Sequence, residues 1–497
     1  MNRNQLFESM ESIDDSVLER SEKRKNRQRK PWWIGAVAAV LVVAVSVGIA
    51  LRPGIQVWQS SSTSYDATTL HTAAIKTAVY PEMAPYPEES DFEDSATGEV
   101  NWDSYSEAYD AWRESIGAQR QEEGYADGLN GFFQKSIPVF LKGEDGENRI
   151  YSPLNVYMAL GMLAELTGGN TRQQILDLVG SADIESLRSQ AHAVWNGQYM
   201  DDGATATVLA SSLWLRDDIN YVDSTMETLA DNYYASSFQG EMGSDELNQA
   251  LRDWLNEQTG GLLEDQIGEL FLYPDTVLAL ATTLYFQACW GDKFSEGSTS
   301  PQTFHGPDGD QTVEFMHSGN TQKYYQGENF TATSCYLENS GNMWFFLPEE
   351  GMSPEALLED PQAMEFLLTN GGEGEEAQYP IVNLSLPKFD VSSQTDLLEG
   401  LKTLGVTDAM DSSISDFTPT TQDVTEIFLS QAQHDVRVAI DEEGVTAAAY
   451  TVMQACGTSA EEPEEVDFVL DRPFLFAILS QDGLPLFVGI VNQPQES

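Results

Sequence analysis

The chain has 497 residues, 41% of them hydrophobic, and carries 80 Asp and Glu against 25 Lys and Arg, a formal net charge of −55. A body this acidic repels nucleic acid and anionic lipid, which removes both as ligands of the folded region. The three cysteines form no C-x-x-C pair, the five histidines have no metal-ligand spacing, and phosphate-binding glycine loops and G-x-S-x-G elbows are absent, so neither a metal, a cofactor nor a common enzyme motif is expected.

Nine of the 25 basic residues fall within positions 1–52. Among them is KRKNRQRK (Lys23–Lys30), followed by PWW and eighteen uncharged, mainly apolar residues, Ile34–Leu51. As a helix this run spans roughly 27 Å, near the ~30 Å thickness of bilayer hydrocarbon. Basic residues before it and almost none after predict a cytoplasmic tail over 1–33, a membrane helix over 34–51 and an extracellular remainder. Trp32 and Trp33 stand where an interfacial anchor would. The alternative is a cleaved signal peptide and secretion. The apolar run exceeds the usual length and lacks a clear A-x-A site, which favours an uncleaved anchor.

Residues 52–119 read as an acidic, Pro- and Ser-rich extended spacer with a helix around Trp102–Ile116. Beyond 120 the pattern becomes that of a folded domain running to 497. Leu154, Met158, Leu160, Met162, Leu163 and Leu166 lie near helical spacing and end at Gly-Gly. Thr205–Leu215 and Thr276–Phe286 are apolar or small on both faces, as buried strands are. Ile381–Val391 alternates and carries a proline, as a strand near an edge does. FLFAIL, DG and LPLFVGIV predict a C-terminal hairpin. The mixture predicts an α+β domain with more than one sheet.

One stretch breaks the acidic pattern. DEEGVTAAAYTVMQACGTSAEEPEEVDF (Asp441–Phe468) holds sixteen successive uncharged residues, Val445–Ala460, between glutamates. A stable helix is disfavoured by Gly444, Gly457 and the β-branched Val445, Thr446, Thr451 and Val452. A strand-competent segment fits better. On a strand Val445, Ala447, Ala449 and Thr451 share one face, and Thr446, Ala448 and Tyr450 the other.

In order, SPLNVYMALGML, SSLWL, TTLYFQACW, LPKFDVSSQTDLLEGLKTLGV, VAIDEEGVTAAA and DRPFLF…LPLFVGIVNQP resemble the serpin family across 120–495. The resemblance implies a single serpin-like domain with a large central mixed sheet, further sheets, eight or nine helices and an exposed reactive-centre loop. It implies a monomeric suicide-substrate inhibitor that forms a covalent complex with serine proteases and has no catalytic residues of its own. A non-inhibitory binding or carrier protein is the alternative. After cleavage the N-terminal part of such a loop enters the main sheet as a strand.

Under this resemblance Glu442, Glu443, Gly444, Val445, Thr446, Ala447, Ala448, Ala449, Tyr450 and Thr451 form the hinge. Family members commonly have Thr or Ser at the place of Val445 and Glu at that of Thr446, and neither departure blocks insertion. Ser152, Asn155 and His434 match a polar shutter beneath the sheet, with Asn155 where a second serine is usual. Trp214 matches the tryptophan where insertion begins, and Phe474 anchors the far end of the loop. Family spacing from Glu442 puts the reactive bond at Thr458–Ser459. The small residues before it suit elastase-like or subtilisin-like pockets rather than a trypsin-like one. Cys289 and Cys335 read as structural, whereas Cys456 falls in the loop.

Overall fold

The structure, a computed structural model, describes residues 37–47, 73–94, 97, 99–143, 146–263, 270–371, 378–445 and 464–494. In chain order these form β1 (Val37–Val47), β2 (Ala73–Lys76), α1 (Trp102–Gln119), α2 (Leu129–Leu141), β3 (Arg149–Tyr151), α3 (Pro153–Leu166), α4 (Gly169–Val179) and α5 (Ile184–Gln198). Next come β4 (Met200–Asp201), β5 (Ala206–Arg216), α6 (Asp223–Tyr233), β6 (Ala235–Gly240), α7 (Asp245–Gln258) and β7 (Thr276–Cys289). The strand-rich second half holds β8 (Ser300–Gly306), β9 (Gly309–Thr321), β10 (Tyr324–Gln326), β11 (Phe330–Leu337) and β12 (Gly341–Pro348). It continues through α8 (Pro354–Leu357), α9 (Pro361–Leu368), β13 (Ile381–Pro387), β14 (Phe389–Asp396) and α10 (Leu397–Thr403). The last elements are β15 (Ile427–Ile440), β16 (Gly444–Val445), β17 (Glu465–Val469), β18 (Phe474–Ser480) and β19 (Pro485–Val491).

The strands build three sheets. The largest has the order β14-β15-β1-β7-β5-β6-β2, with β16 paired to β7 and β4 to β5. A six-stranded sheet runs β10-β11-β12-β18-β19-β3, and a four-stranded one β17-β13-β9-β8. With ten helices among the described residues, nine of them seven residues or longer, this is the α+β architecture expected.

α3 shows why the core forms where it does. Ser152 precedes it, Pro153 takes its first turn, and all fourteen residues are buried. A helix apolar all round belongs inside. Its one carboxylate, Glu165, is closed off by Arg188, whose Nε and Nη2 donate to Oε1 and Oε2 at 2.8 and 2.9 Å. Such a two-pronged pair is what allows a charge at this depth.

The expected membrane helix is corrected. Val37–Val47 is a strand of the central sheet, parallel to both neighbours, with Val43 opposite His434 of β15 and Thr282 of β7. Among the described residues no helix is long and apolar enough to cross a membrane, so a single-pass membrane protein with a cytoplasmic N-terminus is not supported. The sequence VAAVLVVAVSV explains the outcome. Uncharged, β-branched runs satisfy a strand flanked on both sides as well as they satisfy lipid, and hydropathy does not separate the two.

Part of the segment read as a spacer is also folded onto the body. β2 pairs with β6 and forms the edge of the central sheet, and α1 extends the expected helix to Gln119.

Candidate functional site

β15 ends at Ile440, and the chain then makes a tight turn that enters the central sheet. The carboxylate of Asp441 accepts the backbone N–H groups of Glu443 and Gly444 at 2.9 and 3.3 Å, and its own N–H donates to the Gly444 carbonyl at 3.1 Å. An aspartate closing its own turn in this way is a frequent local solution. The next two residues form β16, antiparallel to β7, with Gly444 opposite Cys289 and Val445 opposite Ala288. Glycine is needed for close approach: a Cβ at position 444 would lie 2.4 Å from the Ala288 carbonyl oxygen. Val445 is completely buried.

Two ion pairs clamp the glutamates. Lys388 Nζ reaches Glu442 Oε2 at 2.7 Å, and Lys293 Nζ reaches Glu443 Oε2 at 2.8 Å. Thr299 donates its hydroxyl to Glu442 Oε1 at 2.7 Å. Burial alone would raise the Glu442 pKa, but the hydrogen bonds from Lys388 and Thr299 outweigh it and hold the carboxyl below its ordinary value. Asp441 moves the other way: burial pushes it up, against the opposing pull of the two backbone donors. Backbone bonds complete the clamp, from Trp290 N–H to the Glu443 carbonyl and from Phe294 N–H to the Glu442 carbonyl, each 3.0 Å.

Trp290 is the residue the sequence reading missed. Its indole N–H donates to the Asp441 carbonyl at 2.8 Å, and its ring meets Phe294 edge-on. Trp214, expected at this end, is fully buried, donates to Ser212 Oγ at 2.9 Å and stacks on Phe238. It stands opposite Ala279, nine residues along β7 from the partner of Val445 and therefore roughly 30 Å away. The signal was the tryptophan closing TTLYFQACW, which ends a long buried strand next to the turn.

His434 and Ser152 are brought together beneath the sheet. The Ser152 backbone N–H donates to His434 Nε2 at 3.1 Å, which makes that nitrogen the acceptor. Both residues, and Asn155 one helical turn on, are buried. The His434 ring lies edge-on to Tyr151.

Hinge positions Thr446, Ala447, Ala448, Ala449, Tyr450 and Thr451, the bond Thr458–Ser459 and Cys456 lie outside the described residues. The chain reappears at Glu464 and enters β17, which runs parallel to β13 on the edge of the four-stranded sheet. Phe474, at the start of β18, is fully buried against Phe345 and Phe389. The two anchors of the loop thus sit in different sheets.

The comparisons with known proteins agree with this geometry. The family model described as Serpin (serine protease inhibitor) matches residues 130–494. Serpin-ZX of Arabidopsis thaliana is 27% identical over 363 residues, covering 70% of this chain and 92% of that protein. Plasminogen activator inhibitor 1 of Sus scrofa is 28% identical over 381 residues, covering 73% and 91%. Among solved structures, the thermophilic serpin tengpin in its native state superposes with a TM-score of 0.66 at 24% identity, over 75% of this chain and 95% of tengpin. Thyroxine-binding globulin complexed with thyroxine gives 0.63 at 21%, over 74% and 99%. The chain belongs to the serpin family.

Proposed function

We propose that this serpin inhibits serine proteases of the elastase-like or subtilisin-like kind by offering the bond Thr458–Ser459 as bait. The protease serine attacks the Thr458 carbonyl carbon, the amine of Ser459 leaves with a proton from the protease's histidine, and an acyl ester joins the two proteins. The loop N-terminal to the cut then enters the central sheet, carrying the attached protease with it, and the catalytic groups are pulled out of register before water can release the ester. The chemistry is the target's own, and the inhibitor contributes a bond and a slot.

The observation that carries this reading is the hinge. Gly444 and Val445 already run alongside β7 in the direction insertion requires, and the uncharged residues after them can follow without burying a charge.

A second reading, a non-inhibitory binding protein, is favoured by one specific observation. The slot between β7 and β15 is filled by Val37–Val47, so the loop can enter only when that strand leaves.

Mixing the full chain with pancreatic elastase and with subtilisin separates the readings. A covalent complex that survives SDS, with a released C-terminal peptide beginning at Ser459, supports inhibition at the proposed bond. Clean cleavage without a complex supports the binding-protein reading. A peptide beginning before Cys456 or after Glu462 sinks the bond assignment.

A further inference from the structure

A strand can be exchanged in the slot only if β7 parts from β15. β5 pairs with β7 on one side and with β6 on the other, so these three strands move as one half-sheet. Across the free edge of that half lies the N-terminal extension.

The extension is attached point by point. β2 pairs with β6, and the Ala78 N–H donates to Ser236 Oγ at 3.1 Å. Tyr80 enters an aromatic cradle, with ring centroids 5.2 Å from Trp195, 5.9 Å from Tyr199 and 6.0 Å from Tyr234. It touches both apolar clusters, the main core and the smaller one between α7 and the sheet. Further along, the Tyr86 N–H donates to the Asp202 carbonyl at 2.8 Å, and Trp112 of α1 donates its indole N–H to the Asp202 carboxylate at 2.9 Å. Past α1, the Tyr125 hydroxyl accepts from Gln198 of α5 at 2.7 Å and donates at 2.6 Å to Asp482, in the turn between β18 and β19. These contacts together fasten the edge of the movable half-sheet to the β4–β5 turn, to α5 and to the six-stranded sheet.

The shared fold does not require them, because the family match begins at residue 130. We infer that residues 73–94 and 99–125 are a built-in brace that resists the parting of β7 from β15 and thereby sets the rate at which the slot changes its occupant. Where the incoming strand is the cleaved loop, the inference rests on the insertion reading above.

The test uses the full chain with Tyr80→Ala, which empties the cradle, and Trp112→Phe, which removes one indole N–H. Val313→Ala, buried in β9 of the four-stranded sheet, whose strand pairs with β8 and β13, is the control, compared at matched global stability in adjusted denaturant. Backbone amide exchange is followed in Thr276–Cys289 and Ile427–Ile440, then the time for heat resistance to appear after the loop is nicked. Exchange in both strands should quicken at least about tenfold for Tyr80→Ala and about fivefold for Trp112→Phe, with the control unchanged. Heat resistance should appear correspondingly sooner. Faster exchange confined to β2, β6 and α1 overturns the brace. Faster exchange in β7 and β15, with no heat resistance gained by any variant or by wild type, upholds the brace and removes the insertion reading instead.

Discussion

The indole of Trp290 and the carbonyl of Asp441 are joined by a 2.8 Å hydrogen bond that fastens the end of β7 to the turn opening the loop. Removing the donor leaves a half-buried carbonyl without this partner, which costs up to about 1–3 kcal/mol. We expect Trp290→Phe to lower stability by that amount, read from denaturant unfolding by circular dichroism. A variant within about 0.3 kcal/mol of wild type would show that the bond does not hold the hinge.

Gly444 is the tightest point of the same turn. Any side chain there meets backbone atoms, the Ala288 carbonyl at 2.4 Å and Cys289 Cα at 2.7 Å, and backbone cannot swing aside as a side chain does. Gly444→Ala should cost roughly 1–3 kcal/mol and release Val445 from β7. Amide exchange at Val445 reports the release directly, and continued protection there would count against the steric account.

The hinge face supplies a third test. Val445 is fully buried, and alternate residues of a strand share a side, so Ala447 and Ala449 follow it inward once the loop enters. Ala447→Glu and Ala449→Arg should turn an inhibitor into a substrate, because a charge would be forced into the sheet interior. Covalent complexes formed by both variants at the wild-type yield would remove the argument.

Much of this was legible in the residues because composition and mechanism constrain each other there. A segment without charge in a chain with 80 acidic residues had to be explained by where it can go, and strand parity set Val445 on the face opposite Thr446, which agrees with its full burial. Lys293, Lys388 and Thr299 were not legible. They converge on Glu442 and Glu443 from separate connecting segments, and no local pattern announces a lysine that answers a glutamate 150 or 54 residues away. Trp290 was not legible for a related reason: Trp214 lies within one long buried strand and Trp290 directly follows another, and only the pairing register says which of them meets the hinge. Tyr80 lies in a Pro- and acid-rich run whose composition suggests an extended coil, and its burial is decided by the cradle it enters.

A fourth prediction concerns pH. Asp435 on β15 is almost fully buried, and burial raises its pKa from 3.8 to about 6, with the opposing hydrogen bonds from Gln433 too weak to cancel it. Between about pH 4 and 6 the folded state therefore holds a proton that the unfolded state has released. Stability falls as pH rises through that window, and the deficit is complete above pH 6. Asp435→Asn should be more stable than wild type at pH 8, by on the order of 2–3 kcal/mol, and equal to it near pH 4. A constant difference across the range would place the effect in packing instead of titration.

The last prediction follows from two registers that meet in one place. β16 runs antiparallel to β7, with Gly444 opposite Cys289 and Val445 opposite Ala288. Continued inward, that register brings Thr446 opposite Gln287 and Ala447 opposite Phe286. Phe286 is already the backbone partner of Val47, the final residue of β1, whose other side pairs with Val438 of β15. Ala447 and Val47 thus claim the same position, and a loop advancing by one more pair must push β1 out. The exchange replaces a strand parallel to both neighbours with an antiparallel one, and antiparallel ladders are slightly more stable per residue, so it runs downhill once the loop end is freed. In the intact chain, amides of Val37–Val47 should exchange slowly. After the loop is nicked they should become fast, while those from Ala447 onward become slow, at matching rates if one strand displaces the other. Protection that persists in Val37–Val47 in a cleaved protein carrying a covalently bound protease would mean that the loop goes elsewhere.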